Sequence, residues 1–333
     1  MNLRIPLSIV LVAASAFAQA PAEQKPAAVR LGSGAHVYEW DVNWGKRPDG
    51  KDLGNTHGCV AVDSKGRIYF NTDTEDAVMV FEADGTFVTS WGREFRGGLH
   101  GMTVVKEEKR EVLYLAHTGR HEVVKATLEG EVLRSFGYPA MSGIYTKPEE
   151  FNPTSVVVAP SGEMFVADGY GKSWVHKYDA LGNYVKSFGG PGTEPGKMQT
   201  PHGLLIDTRG AKPTLVVADR ENSRLQTFDL DGKLLGVVDH DLRRPCNVAL
   251  AGTDLAVPDL AGRVTIFDKD DKLVCQLGDN PDESLRAQNG VERGKWKTGE
   301  FLSPHGAAWD AQGNLYVLDW NFLGRVTKLA RVR

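Results

Sequence analysis

The 333-residue sequence predicts an all-β fold, a six-bladed β-propeller whose last blade is closed by an N-terminal strand. Three observations carry this expectation. Six successive segments share one strand pattern. Their apolar residues alternate with period two, and no stretch reads as a long amphipathic helix. A strand-like stretch near the N-terminus lacks the partners that would make it a blade of its own.

Taken in order, residues 1–18 read as a signal peptide. Arg4 precedes a mostly apolar run over 5–17, and Ala16-Phe17-Ala18 fits a small-x-small cleavage site. The run is too short for a membrane span. Residues 19–35 read as a flexible Pro/Ala-rich tether, and 36–333 as the propeller. Residues 38–45 resemble a fourth strand, like 87–92, but no first three strands precede them. Segment six ends near Leu329 without a fourth strand of its own. The N-terminal strand is therefore expected to complete that blade and remove an open edge.

Segment three shows the repeat. It opens at Thr154, runs through Val156, Val157 and Val158, and turns at Ser161-Gly162. A second strand then runs to Asp168, and 174–178 and 184–188 supply the third and fourth strands. The other openings are His57, His100, His202, Cys246 and His305. The spacings along the six are 43, 54, 48, 44 and 59 residues, room for four short strands plus variable connections. Second strands end near Asp73, His117, Asp168, Asp219, Asp259 and Asp319. Asp168, Asp219, Asp259 and Asp319 are expected to cap loop amides.

Composition narrows the function. The formal net charge is −4 and no contiguous basic patch exists, which argues against a nucleic-acid partner. Three cysteines, Cys59, Cys246 and Cys275, do not make a disulfide scaffold. The chain is expected to be a secreted or periplasmic monomer that acts on a small molecule or peptide.

The chain has nine histidines, and four stand in His-Gly dipeptides at segment openings: His57, His100, His202 and His305. In a propeller the first strands line the axis, so these openings ring one mouth of the channel. His100, His202 and His305 fall in alternate blades, about 120° apart in a six-fold ring. Three imidazoles so placed cap a metal and leave open positions, as in catalytic zinc sites. His57 breaks the three-fold pattern and reads as a fourth ligand, a supporting group or a substrate contact. Cys246 shares the ring and reads as a small buried residue, with thiolate ligation the alternative. The long connections 138–152 and 279–303 are expected to wall this mouth.

The runs Phe165-Val166-Ala167-Asp168-Gly169-Tyr170 and Val217-Ala218-Asp219-Arg220-Glu221-Asn222, with Pro201-His202 and Pro304-His305, resemble NHL-repeat propellers. More closely, they are similar to the catalytic core of peptidyl-α-hydroxyglycine α-amidating lyase. The resemblance covers nearly all of the chain after the tether and is strongest over 151–228. It implies cleavage of a carbinolamide N–C bond, giving an amide and glyoxylate. It also implies zinc on His100, His202 and His305 as a Lewis acid, and Tyr170 as general base with its pKa lowered by the cation.

Departures accompany the resemblance. The family's arginine after the second strand of blade one has no counterpart here, where Thr72 stands near its place. Arg93, Arg96 and Arg220 are the candidates to bind a carboxylate from elsewhere on the mouth. Gly306 follows the last ligand where the family has a calcium-supporting aspartate, which argues against calcium. Two other functions stay open. One is a different metalloenzyme that uses all four histidines for iron or copper. The other is a non-catalytic propeller that binds peptides or glycans.

Overall fold

The computed structural model describes Met1 and residues 28–333. The signal-peptide reading at 2–18 and the tether reading at 19–27 lie outside the described residues. Six antiparallel sheets carry the fold, and each reads from an inner to an outer strand. The inner strands are Thr56–Val62, Leu99–Lys106, Ser155–Val158, Pro201–Asp207, Ala249–Ala251 and Pro304–Trp309. Each contacts the next, and the last contacts the first, so they close a ring around the axis.

One rule of sequence explains why the blades stack. Both faces of each middle strand are covered by neighbours, so alternate residues feed two different interfaces. Tyr69 packs toward blade two while Ile68 and Phe70 pack toward blade six. Six apolar clusters result, one between each pair of adjacent blades. The strand Val78–Phe81 is buried at every position, which is why such strands read as apolar runs.

Blade six has a fifth strand. His36–Asp41 pairs antiparallel with Arg325–Arg331, placing Trp40 opposite Leu329. Tyr38 and Trp40 are buried there, and Trp40 packs on Phe301 with ring centroids 4.9 Å apart. Arg30–Ser33 then pairs with His36–Asp41 across a two-residue turn at Gly34-Ala35. This corrects the tether, which does not extend to residue 35. Val29 and Leu31 pack against the cluster between blades five and six. Gly34 at φ +56° supplies the left-handed turn that a tight hairpin needs.

The strand-end carboxylates act as caps. Asp168 accepts the Asn152 and Lys172 N–H groups, Asp219 that of Gln199, Asp259 those of Arg243 and Arg244, and Asp319 those of Leu302 and Ser303. In blades four to six the same carboxylates face the arginine that opens the third strand. The separations are 2.8 Å for Arg224, 3.5 Å for Arg263 and 3.6 Å for Arg325.

Candidate metal centre and cavity

The His-Gly dipeptides have a structural cause. In blades two, four and six the inner strand breaks register at the histidine, between Leu99 and Gly101, Pro201 and Gly203, and Pro304 and Gly306. Such bulges re-aim a side chain, here toward the axis. The glycine that follows lets the next blade come close. A Cβ at Gly101 would sit 2.6 Å from the Thr154 carbonyl oxygen, at Gly203 2.6 Å from that of Cys246, and at Gly306 2.6 Å from that of Gly58. The same three carbonyls accept the Nδ1–H of the adjacent histidines: His100 to Thr154 at 2.7 Å, His202 to Cys246 at 2.7 Å, and His305 to Gly58 at 2.9 Å.

Each of these three rings thus has its tautomer set by the neighbouring blade, leaving Nε2 unprotonated. A backbone carbonyl in this role is a common support for a metal-ligating histidine. The rings converge, with centroids 4.7 Å apart for His100–His202, 5.0 Å for His100–His305 and 4.6 Å for His202–His305. All three are 2% exposed, and burial holds them well below the usual imidazole pKa, hence neutral. The His305 Nε2 is buried without a hydrogen-bond partner. An orphaned, neutral imidazole nitrogen aimed into a histidine cluster fits a transition-metal ion.

Two sets of donors come within 4.8 Å of one another: His57, His100 and His305, and His202, Cys246 and His305. They share His305. The Tyr170 hydroxyl bridges the rest, 3.3 Å from His100 Nε2 and 3.0 Å from His202 Nε2. The Arg220 guanidinium donates to the same hydroxyl at 3.2 Å. Tyr170 as a residue is 37% exposed, while its hydroxyl is held among these groups. Burial raises its pKa and Arg220 opposes that rise. The protein's own charges alone therefore do not depress this phenol.

His57 is placed differently. No backbone carbonyl takes its ring N–H, and its Nδ1 lies 3.7 Å from Asp73 Oδ2. Its ring meets His100 and His305 edge-on at 4.9 and 5.1 Å, and lies 5.9 Å from Trp320. Cys246 is fully buried, and burial pushes its thiol up to about 12.

A cavity of about 260 Å³ opens beside the cluster, lined by His57, Tyr170, Arg220, Arg244, Leu260, Ala287, His305 and Trp320. Arg96 does not line it. Its side chain is mostly exposed and pairs with Glu75 at 3.6 Å, as Arg93 does at 3.2 Å. Blade one holds these two arginines on its rim, away from the histidines. Sequence reasoning missed Arg244 and Trp320. A signal was available, since Arg244 stands two residues before the blade-five opening and Trp320 directly follows Asp319.

No family model matches the chain. Human NHL repeat-containing protein 3 is 30% identical over 211 residues, which span 60% of this chain and 59% of that protein. A probable peptidyl-α-hydroxyglycine α-amidating lyase of Caenorhabditis elegans is 29% identical over 237 residues, covering 67% of this chain and 63% of the relative. Peptidyl-α-hydroxyglycine α-amidating lyase 1 of Drosophila melanogaster is 28% identical over 273 residues, 74% of this chain and 47% of the relative. The chain therefore spans about 60% of the length of its NHL relative and less of some others. A streptogramin B lyase structure matches with a TM-score of 0.57 at 13% identity, over 84% of this chain and 93% of that one. A gluconolactonase from Xanthomonas campestris matches with 0.57 at 14%, over 84% and 87%. At these identities the two structures report the fold alone. The chain is a six-bladed β-propeller whose homologues include NHL repeat-containing protein 3 and the peptidyl-α-hydroxyglycine α-amidating lyases.

Proposed function

We propose that this chain is an exported, metal-dependent lyase that cleaves the N–C bond of a peptidyl-α-hydroxyglycine or related α-hydroxy-amide, giving an amide and glyoxylate. One observation carries the reading. Three neutral imidazoles on alternate blades are fixed by equivalent carbonyls, and a tyrosine hydroxyl sits between two of their free nitrogens.

His100, His202 and His305 would hold the ion, zinc on this reading. When bound it would supply Lewis acidity toward the substrate hydroxyl and charge that lowers the Tyr170 pKa. Tyr170 Oη accepts the hydroxyl proton, held in place by the Arg220 N–H. The O–H electron pair becomes the aldehyde C=O, and the C–N pair leaves with nitrogen. Tyr170 returns the proton to that nitrogen, so the products balance as amide plus glyoxylate. Leu260, Ala287 and Trp320 shield the reacting carbon from solvent.

Purified protein should hold about one zinc per chain and release glyoxylate from α-hydroxyhippurate. Zinc-reconstituted protein that releases none would end this reading. A second reading rests on His57, whose donor atom lies with those of His100 and His305. Iron or copper at stoichiometry in natively purified protein, lost in His57→Ala, would favour a four-histidine metalloenzyme instead.

A further inference from the structure

The cavity carries an uncompensated positive charge that the lyase chemistry leaves unused. Its lining contains two guanidiniums, Arg220 and Arg244, and no carboxylate. Glu221 behind them offers one oxygen to both, accepting from Arg220 Nε at 2.8 Å and from Arg244 at 2.7 Å. One carboxylate balances one of two permanent cations.

The two arginines differ in what they have left to give. Arg220 is nearly buried and occupied, with Nε on Glu221, one terminal nitrogen on Tyr170, and the Cys246 thiol against it. Arg244 spends one terminal nitrogen on Glu221, and its Nε is buried without any partner. Its backbone N–H is tied to Asp259, which fixes where the side chain starts. A carboxylate matches the guanidinium fork, and the Arg244 side chain is 38% exposed, with its second terminal nitrogen open to the cavity. Leu260, Ala287 and Trp320 close the rest of the wall and offer no rival acceptor side chain.

Resting on the lyase reading above, we propose that Arg244 anchors a free carboxylate of the substrate, so that this cavity selects α-hydroxy-amides whose carboxylate is free over those in which it is esterified or amidated. Arg244 is a specificity-determining residue at the entry to blade five, two blades round the ring from the blade-one loop that lacks an arginine. Arg220 stays with Tyr170, and the carboxylate-binding duty divides from the proton-handling duty.

Binding of an unreactive probe tests this separately from turnover. Zinc-loaded protein is titrated calorimetrically with hippurate and with hippurate methyl ester. The wild type should bind hippurate at least about tenfold more tightly than the ester. Arg244→Gln should weaken hippurate by about 10–100-fold, the usual size of a lost charge-assisted contact, and leave the ester unchanged. Arg244→Lys keeps the cation and loses the fork, so it should fall between the two. It decides the matter if the glutamine variant does not fold. Equal affinity of the wild type for acid and ester, no hippurate binding at all, or wild-type hippurate affinity in both variants would each overturn the proposal. Hippurate binding that depends on Arg244, with no glyoxylate formed from α-hydroxyhippurate, would end the lyase reading and leave the carboxylate anchor standing.

Discussion

Tyr145→Phe should destabilise the protein and loosen the loop that carries Tyr170. The Tyr145 hydroxyl donates to Asp168 Oδ2 at 2.5 Å and lies 2.7 Å from His176 Nε2. One phenolic proton cannot serve both, so His176 Nε2–H donates to Tyr145, and His176 Nδ1 accepts from Ser187 Oγ at 2.8 Å. Asp168 in turn holds the N–H groups of Asn152 and Lys172, at 2.7 and 2.6 Å, on either side of Tyr170 in space. His176 and Asp168 are fully buried. Removing one oxygen leaves a carboxyl short of a donor and an imidazole N–H without an acceptor. Each unsatisfied group costs about 1–3 kcal/mol, so the loss is about 2–6 kcal/mol. At roughly 2–4 °C per kcal/mol, that is a fall of about 4–24 °C in Tm. Thermal unfolding followed by circular dichroism measures it. A Tm within about 2 °C of wild type would refute the ordered chain from Ser187 to Asp168.

Two further outcomes are expected. Tyr170→Phe should lower kcat for α-hydroxyhippurate by about 10²–10⁴-fold with KM little changed, since it removes a proton carrier and not a binding contact; glyoxylate release measures it, and retention of more than about a tenth of wild-type kcat would exclude Tyr170 from proton transfer. His117 contributes a pH dependence to stability. Burial lowers its pKa to about 4, with the Phe95 carbonyl on its Nε2–H partly offsetting this, Arg120 adding to it and Asp73 opposing. The unfolded chain binds this proton near pH 6.5 and the folded chain does not. Its contribution is therefore full above about pH 6.5 and is lost as pH falls toward 4, at about 1.4 kcal/mol per pH unit. Urea unfolding should show the stability gap between wild type and His117→Gln narrowing by about 2 kcal/mol from pH 7.5 to 5. Parallel curves would show that His117 takes up its proton equally in both states.

Blade number and the positions of the openings were legible because a propeller strand is constrained on both faces. Residues such as Tyr69 and Phe70 must feed two interfaces at once, and that double demand writes a strong repeat. The convergence of four histidines followed from repeat phase and ring symmetry. What the glycines do was not legible, because it depends on how closely a neighbouring blade's carbonyl approaches. Arg244 escaped for a related reason, since an arginine before a blade opening looks like any loop arginine until its Nε is seen without a partner. The hairpin strand Arg30–Ser33 is hard to tell from the Pro/Ala-rich tether before it, because it is short and mostly exposed. Its one strong apolar contact, Leu31, counts only once the cluster between blades five and six exists.

The inequality of the four histidines has its cause in blade one. In the other three blades the register break spans a single histidine. In blade one it runs from Thr56 to Val60, a wider gap. The Asn71 side chain fills it, accepting the Cys59 N–H at 2.8 Å and donating to the carbonyls of His57, at 2.7 Å, and of Leu99. Asn71 thereby takes over the backbone groups that the inner strand would otherwise leave unpaired, and it is fully buried in doing so. His57 is left without the carbonyl bond that fixes its three counterparts. Its ring turns toward Asp73 and stands in the cavity wall between Tyr170 and Trp320. The wide bulge thus converts one position of a potential four-histidine ring into a wall residue. It does so in the blade whose loop carries Thr72 in place of an arginine, and His57 shares one cavity with Arg244. On the proposed reading, a substrate held by its carboxylate at Arg244 would present its other end to His57 and Trp320, which line the same cavity.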